Sequence, residues 1–203
     1  MRLEARRYGK LWFVEKHVSW AARIGAAIVV VGVAGCGAAT PRNAAPAQGT
    51  VEAAFKGSPA PLARLHAQAN ALLGGGTKAF EGRLRELRGH PVVVNMWASW
   101  CEPCQSEFPS YQRASVAYGR QVAFLGIDAK DQNPEATTFL HKFPVTYPSY
   151  TDPNGSIASA IHAYQAYPQT FFFNGQGKKV FDKAGPYESV AALEHDIRQY
   201  ALS

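Results

Sequence analysis

Val92-Val-Val-Asn-Met-Trp-Ala-Ser-Trp-Cys-Glu-Pro-Cys-Gln-Ser-Glu-Phe-Pro109 runs from an apolar, β-branched segment straight into two cysteines separated by two residues. Val92–Trp97 has the make-up of a central strand buried on both faces. Pro103 suits the first turn of a helix, and that helix is expected to run to about Tyr118 and close at Gly119. The order is therefore strand, tight turn, Cys101, helix. It sets Cys101 at a helix N-terminus, where unpaired backbone N–H groups and the helix dipole favour an anion. A thiolate is the attacking species in disulfide exchange, so Cys101 is the candidate nucleophile. Cys104, one turn further on, is close enough to resolve a mixed disulfide and is expected to be shielded. Glu102 works slightly against the thiolate, since a nearby carboxylate opposes a second negative charge.

Outward from this segment the pattern is α/β. Val122–Ile127 reads as a second buried strand. Asn133-Pro134 offers an N-cap and an early-helix proline for a helix through His141. Asp152-Pro-Asn-Gly155 is a turn followed by a short helix to about Ala163. Thr170–Phe173 and Lys178–Phe181 form a hairpin about the Asn174–Gly177 turn. Glu188–Tyr200 closes the chain as a helix with Val190, Leu193, Ile197 and Tyr200 on one face. Asp128, at the end of the second strand, is expected to cap the turn that follows rather than to face the cysteines.

The 203 residues carry a net charge of +6, but residues 1–35 alone hold +4 of it, from Arg2, Arg6, Arg7, Lys10, Lys16 and Arg23 against Glu4 and Glu15. The body keeps no basic stripe interleaved with aromatics, so nucleic acid is not an expected partner. Ile24–Ala34 is an apolar run too short to span a bilayer comfortably and fits the hydrophobic core of a signal peptide. The readings for the leader are a cleaved signal and an uncleaved signal anchor, and both put the remainder outside the cytoplasmic membrane. Residues 36–61, rich in Ala, Pro and Gly, read as a flexible tether. Residues 62–76 read as a short helix, Leu62–Leu73, with a glycine linker, and residues 77–203 as the folded domain.

A Cys-x-x-Cys pair also occurs as half of a zinc site or as a purely structural bridge. Zinc needs four ligands, and the only other cysteine is Cys36, with six histidines scattered along the chain. A bridge this short constrains little chain entropy. A thiol peroxidase would want Pro-x-x-x-Thr/Ser-x-x-Cys, which residues 93–101 do not supply. A metal-delivery module would want a wider cysteine spacing and a downstream histidine, for which His162 and His195 are remote candidates.

Asn95-Met-Trp-Ala-Ser-Trp-Cys-Glu-Pro-Cys-Gln-Ser-Glu-Phe-Pro109 resembles the TlpA/ResA-like branch of the thioredoxin superfamily, over about Phe80 to Tyr200. The resemblance implies a thioredoxin-like fold: a central mixed β-sheet flanked by helices, with a strand–helix insertion before its second half. It further implies that Cys101 and Cys104 are a redox-active disulfide and that Glu107 assists proton transfer at the pair. Pro168 matches a cis-proline facing the cysteines, whose backbone edge pairs with the substrate chain; Trp100 and Tyr167 flank it as substrate-binding residues. Tyr167 stands where a smaller residue is usual, and is expected to reshape the substrate groove or to stack beside Trp100. His162-Ala163 replaces a more typical Tyr-Gly. Val33-Ala-Gly-Cys36 resembles a bacterial lipobox, which implies a lipid on Cys36 and loss of residues 1–35.

The implied activity is thiol–disulfide exchange, reductive by default as in cytochrome c maturation or repair of exported thiols, with oxidative folding the alternative. The pair itself carries the electrons, so no metal or organic cofactor is expected. The expected partners are proteins with thiols or disulfides, a membrane redox donor or acceptor protein, and the membrane through the lipid; the chain is expected to be a monomer.

Overall fold

A computed structural model describes residues 46–203. Cys36, the leader and the first part of the tether lie outside the described residues. Along the chain run α1 (Gln48–Phe55), α2 (Ala60–His66), β1 (Leu72–Leu73), α3 (Gly76–Glu86), β2 (Val92–Trp97), α4 (Glu102–Tyr118), β3 (Ala123–Ala129), α5 (Asn133–Lys142), β4 (Ser149–Asp152), α6 (Ser156–Ala160), β5 (Gln169–Phe173), β6 (Lys179–Ala184) and α7 (Val190–Asp196). After α7 the chain widens into a π-helical turn, Ile197–Ala201.

The six strands form one mixed sheet in the order β1-β4-β3-β2-β5-β6. β1 to β2 are parallel neighbours through β4 and β3, whereas β5 and β6 join antiparallel. Every residue of β2, β3 and β5 is buried, which accounts for their continuous apolar runs. Because side chains alternate across a strand, Val93, Trp97, Phe124 and Phe172 face one layer, with Phe108 and Tyr111 of α4, Phe139 of α5 and Leu193 of α7. Val92, Val94, Met96, Leu125, Ile127 and Phe171 face the other, with Leu62 and Leu65 of α2, Phe80 of α3 and Ile157 of α6. This is the thioredoxin-like architecture, and α5 with β4 is the extra helix and strand between its halves.

The main strands and α4 lie where the sequence puts them. Three differences stand out. Residues 48–66, mostly within the expected tether, are two helices, and Leu62 and Leu65 are 0% and 1% exposed in the core. The expected helix to Leu73 stops at His66, because Leu72–Leu73 instead extends to pair with Ser149–Tyr150. Asn70 makes that possible: in the left-handed region at φ 62°, it donates to Leu140 O and accepts from Val145 N, tying this connection to the end of α5. The short helix after the turn ends at Ala160, since His162 at φ 55° reverses the chain while Ala163 N returns to Ala158 O.

Gly119 does follow α4, but with φ −61° it needs no glycine for its backbone angle. A Cβ there would lie 2.7 Å from the Phe55 ring and 3.2 Å from His66 Nε2, and those two rings stack at 3.7 Å. That Cβ would also lie 2.5 Å from Ser115 O, so the last turn of α4 and the packing of α1 and α2 on it together call for glycine here.

Candidate active site

β2 ends at Trp97 and the chain turns through Ala98, Ser99 and Trp100. The turn closes when Cys101 N donates to Ala98 O at 3.2 Å. Cys101 then occupies the N-cap position of α4, extended at φ −88° and ψ 102°, and its Sγ accepts from Cys104 N at 3.2 Å. Cys101 and Cys104 are joined as a disulfide with Cα atoms 5.2 Å apart. Cys101 retains 4% exposure and Cys104 none, so only one sulfur is open to attack. That asymmetry is what a nucleophile and a resolving thiol require.

Trp100 stands 57% exposed beside the pair and meets the Tyr167 ring edge-to-face at 5.3 Å. The Tyr167–Pro168 bond is cis, as the resemblance implies. Pro168 O already accepts from Gly185 N at 2.9 Å. The main chain of Tyr167 makes no hydrogen bond among the described residues, so the open backbone edge at this bond belongs to Tyr167 more than to Pro168. Two clefts flank this surface. One of about 370 Å³ is walled by Ser99, Gln105, Phe139 and Phe143; the other, of about 400 Å³, by Lys130, His162, Tyr164 and Tyr167.

Glu107 lies three residues after Cys104, on the same helix face. It is fully buried, with Oε2 accepting from Tyr187 N at 3.0 Å and Oε1 lacking a partner. Burial pushes its pKa up to about 8, against smaller opposing effects from the Tyr187 N–H, Lys183 and Asn95. At neutral pH Glu107 therefore holds a proton beneath the cysteines. Asn95, the one polar residue inside the apolar β2 run, lies against Glu107 and is itself buried. That polarity within a buried strand was its visible signal in the sequence.

Asp128 does not cap a turn. It is a strand residue, in register with Trp97 and Thr151 and 1% exposed, and its Oδ1 has no hydrogen-bond partner. Desolvation and contact with Asp131 push its pKa up to about 8. Asp131, which sequence reasoning missed, accepts from Ser99 N at 2.5 Å and from Ser99 Oγ at 2.8 Å. Nothing local in the sequence marks this contact, which spans 32 residues. Of the remote histidines, His162 borders the Tyr167 cleft and His195 lies on α7.

The sequence profile of the AhpC/TSA family matches residues 60–180. The chain belongs to the AhpC/TSA family. Several curated thiol–disulfide oxidoreductases are similar to it. DsbE of Haemophilus influenzae, a thiol:disulfide interchange protein, is 31% identical over 140 residues, covering 66% of this chain and 69% of its own. ResA of Geobacillus thermodenitrificans, a thiol-disulfide oxidoreductase, is 29% identical over 126 residues, covering 61% and 68%. Among solved structures, MTB DsbF in its mixed oxidised and reduced forms superposes with a TM-score of 0.52 at 28% identity, over 57% of this chain and 84% of that one. For two other curated relatives the matched stretch is 56% and 50% of their length, so the chain spans about half of them. The likeness read from Asn95–Pro109 to the TlpA/ResA-like branch of this AhpC/TSA, thioredoxin-like family is upheld.

Proposed function

We propose that this chain is a thiol–disulfide oxidoreductase working outside the cytoplasmic membrane. The observation that carries the reading is one slightly exposed sulfur, Cys101, bonded to the fully buried Cys104 at a helix N-terminus. In the reducing direction the Cys101 thiolate attacks one sulfur of a target disulfide. A Cys101–target bond forms and the other target sulfur leaves as a thiolate, which takes up a proton. The Cys104 thiolate then attacks Cys101 Sγ, re-forming the intramolecular disulfide and releasing the second target thiol. Two electrons pass to the target. Glu107, protonated at neutral pH, is placed to exchange a proton with Cys104 as its thiol is lost or regained. Trp100 shields the sulfurs and the Tyr167–Pro168 segment aligns the target chain as an added strand.

A membrane thiol donor would reduce the pair again. Reductive duty, such as cytochrome c maturation or repair of exported thiols, is the preferred direction; oxidative folding runs the same steps backwards. We place the protein on the membrane through a lipid on Cys36, with residues 1–35 removed, the tether starting there and a monomeric domain carried beyond it. Mass spectrometry of the mature N-terminus checks the lipid: a chain that keeps Met1 with unmodified Cys36 rules it out.

The central test is reduction of a model protein disulfide by the reduced chain. Cys101→Ser is expected to abolish it, and Cys104→Ser to stop after one step and accumulate mixed disulfides on Cys101. Turnover unaffected by Cys101→Ser would sink the proposal. Equilibration with a thiol buffer sets the direction: a potential near thioredoxin's, about −270 mV, marks a reductant, and one near about −120 mV an oxidant.

A further inference from the structure

We propose that Asp128 and Asp131 are a proton-sharing carboxyl pair that positions Cys101, with the Asp128 acid held against the Asp131 carboxylate and Asp131 gripping the turn at Ser99. The inference rests on the oxidoreductase reading and adds two positioning residues to it. Ser99 is two residues before Cys101, and both its backbone N–H and its hydroxyl donate to Asp131, at 2.5 and 2.8 Å. The turn is pinned again at Ala98 O by Cys101 N and at Ser99 O by Gln105 Nε2, at 3.2 and 3.3 Å. Among the described residues, Asp131 thus supplies both side-chain hydrogen bonds that reach the turn from outside β2 and α4, beside the ring contact of Tyr167 on Trp100. Lys130, in the left-handed region at φ 57°, bends the chain so that Asp131 turns back toward Ser99.

Two carboxylates in contact away from water cannot both ionise at modest cost. Their partners assign the proton. Asp131 accepts from Ser99 on both oxygens, so each is already used as an acceptor. Asp128 receives none on Oδ1, and its surroundings are anionic: Asp131 on the following loop and Asp152 at the end of β4. Asp152 is itself spent on the start of α6, accepting from Ser156 Oγ, Ile157 N and Ala158 N. The proton therefore sits on Asp128 and bonds it to Asp131. Its loss would set two negative charges against each other and loosen the grip on Ser99.

The test uses the oxidised full chain, in which neither cysteine titrates. The Ser99 amide resonance is followed by ¹H–¹⁵N NMR from pH 6 to 10. Its shift is expected to change with a midpoint in the alkaline range, near the value of about 8 set for Asp128 by burial and Asp131. Asp128→Asn, an isostere that cannot ionise, is expected to abolish that change, and Glu107→Gln to leave it intact. Asp131→Ala is expected to slow exchange with a model disulfide about tenfold at pH 7 through loss of alignment. A Ser99 amide that does not titrate in the wild type, or titrates alike in Asp128→Asn, overturns the pair; the Asp128→Asn comparison alone decides if Asp131→Ala fails to fold. Wild-type protein inert toward every model disulfide would instead bring down the oxidoreductase reading, while the Ser99 titration still decides the pair.

Discussion

Glu107 shows how one side chain couples the chemistry to stability. Its carboxyl is buried and its pKa is raised to about 8, so between about pH 4.5 and 8 the folded chain holds a proton that the unfolded chain has released. The folded state binds more protons in that window, hence stability falls as pH rises through it, by up to about 1.4 kcal/mol per pH unit for each such group. Asp128, raised to about 8, acts in the same sense. His66, whose pKa burial lowers from 6.5, acts oppositely but only below that value. Denaturant unfolding of the oxidised protein between pH 6.5 and 8 is therefore expected to show declining stability. Glu107→Gln should remove about half of the slope and Glu107→Gln with Asp128→Asn nearly all of it; an unchanged slope in the double variant would refute the assignment. The position of Glu107 on the face of Cys104 could be read from spacing alone. Its burial could not, because that depends on Tyr187, 80 residues away.

At the level of elements, the strands that cross the core and the edge strand β6 of the hairpin were legible, whereas β1 and β4 were not. Val92–Trp97 and its neighbour β3 are apolar on both faces, so composition alone marks them. β4, Ser149-Tyr-Thr-Asp152, has no apolar run; it is a strand because β3 and β1 pair with it from either side. Gly126 marks the point where β3 and β4 meet the site. A Cβ there would overlap Ser149 Oγ, which accepts from Trp97 Nε1 at 3.1 Å. Gly126→Ala is therefore expected to break that bond, displace Trp97 at the root of the Cys101 turn, and cost about 1–3 kcal/mol as an overpacked core position. Denaturant unfolding measures the cost, and a loss under about 0.5 kcal/mol would show that the strands separate freely.

For the whole molecule, the surprise is at the N-terminal end of the described chain. Pro, Ala and Gly suggested a tether up to residue 61, yet Gln48–Phe55 is helical, and the short helix expected from Leu62 lays Leu62 and Leu65 into the core against β2 and β3. Leu65→Ala is expected to cost about 2–5 kcal/mol, the range for buried leucines, where a residue just past a loose tether would cost almost nothing. A thermal melt close to wild type would show that α2 adds nothing to the core. By itself, the sequence determined the central strands and the placement of Cys101 at a helix start, because these are written in short stretches whose composition and spacing carry the physics, while the resemblance of Asn95–Pro109 pointed to the family. Only the tertiary structure decided which carboxyls are buried, that Asp131 holds Ser99, that Tyr167 meets Trp100 and that α2 belongs to the core. Those contacts join residues far apart in the chain, and burial is a property of the packed whole.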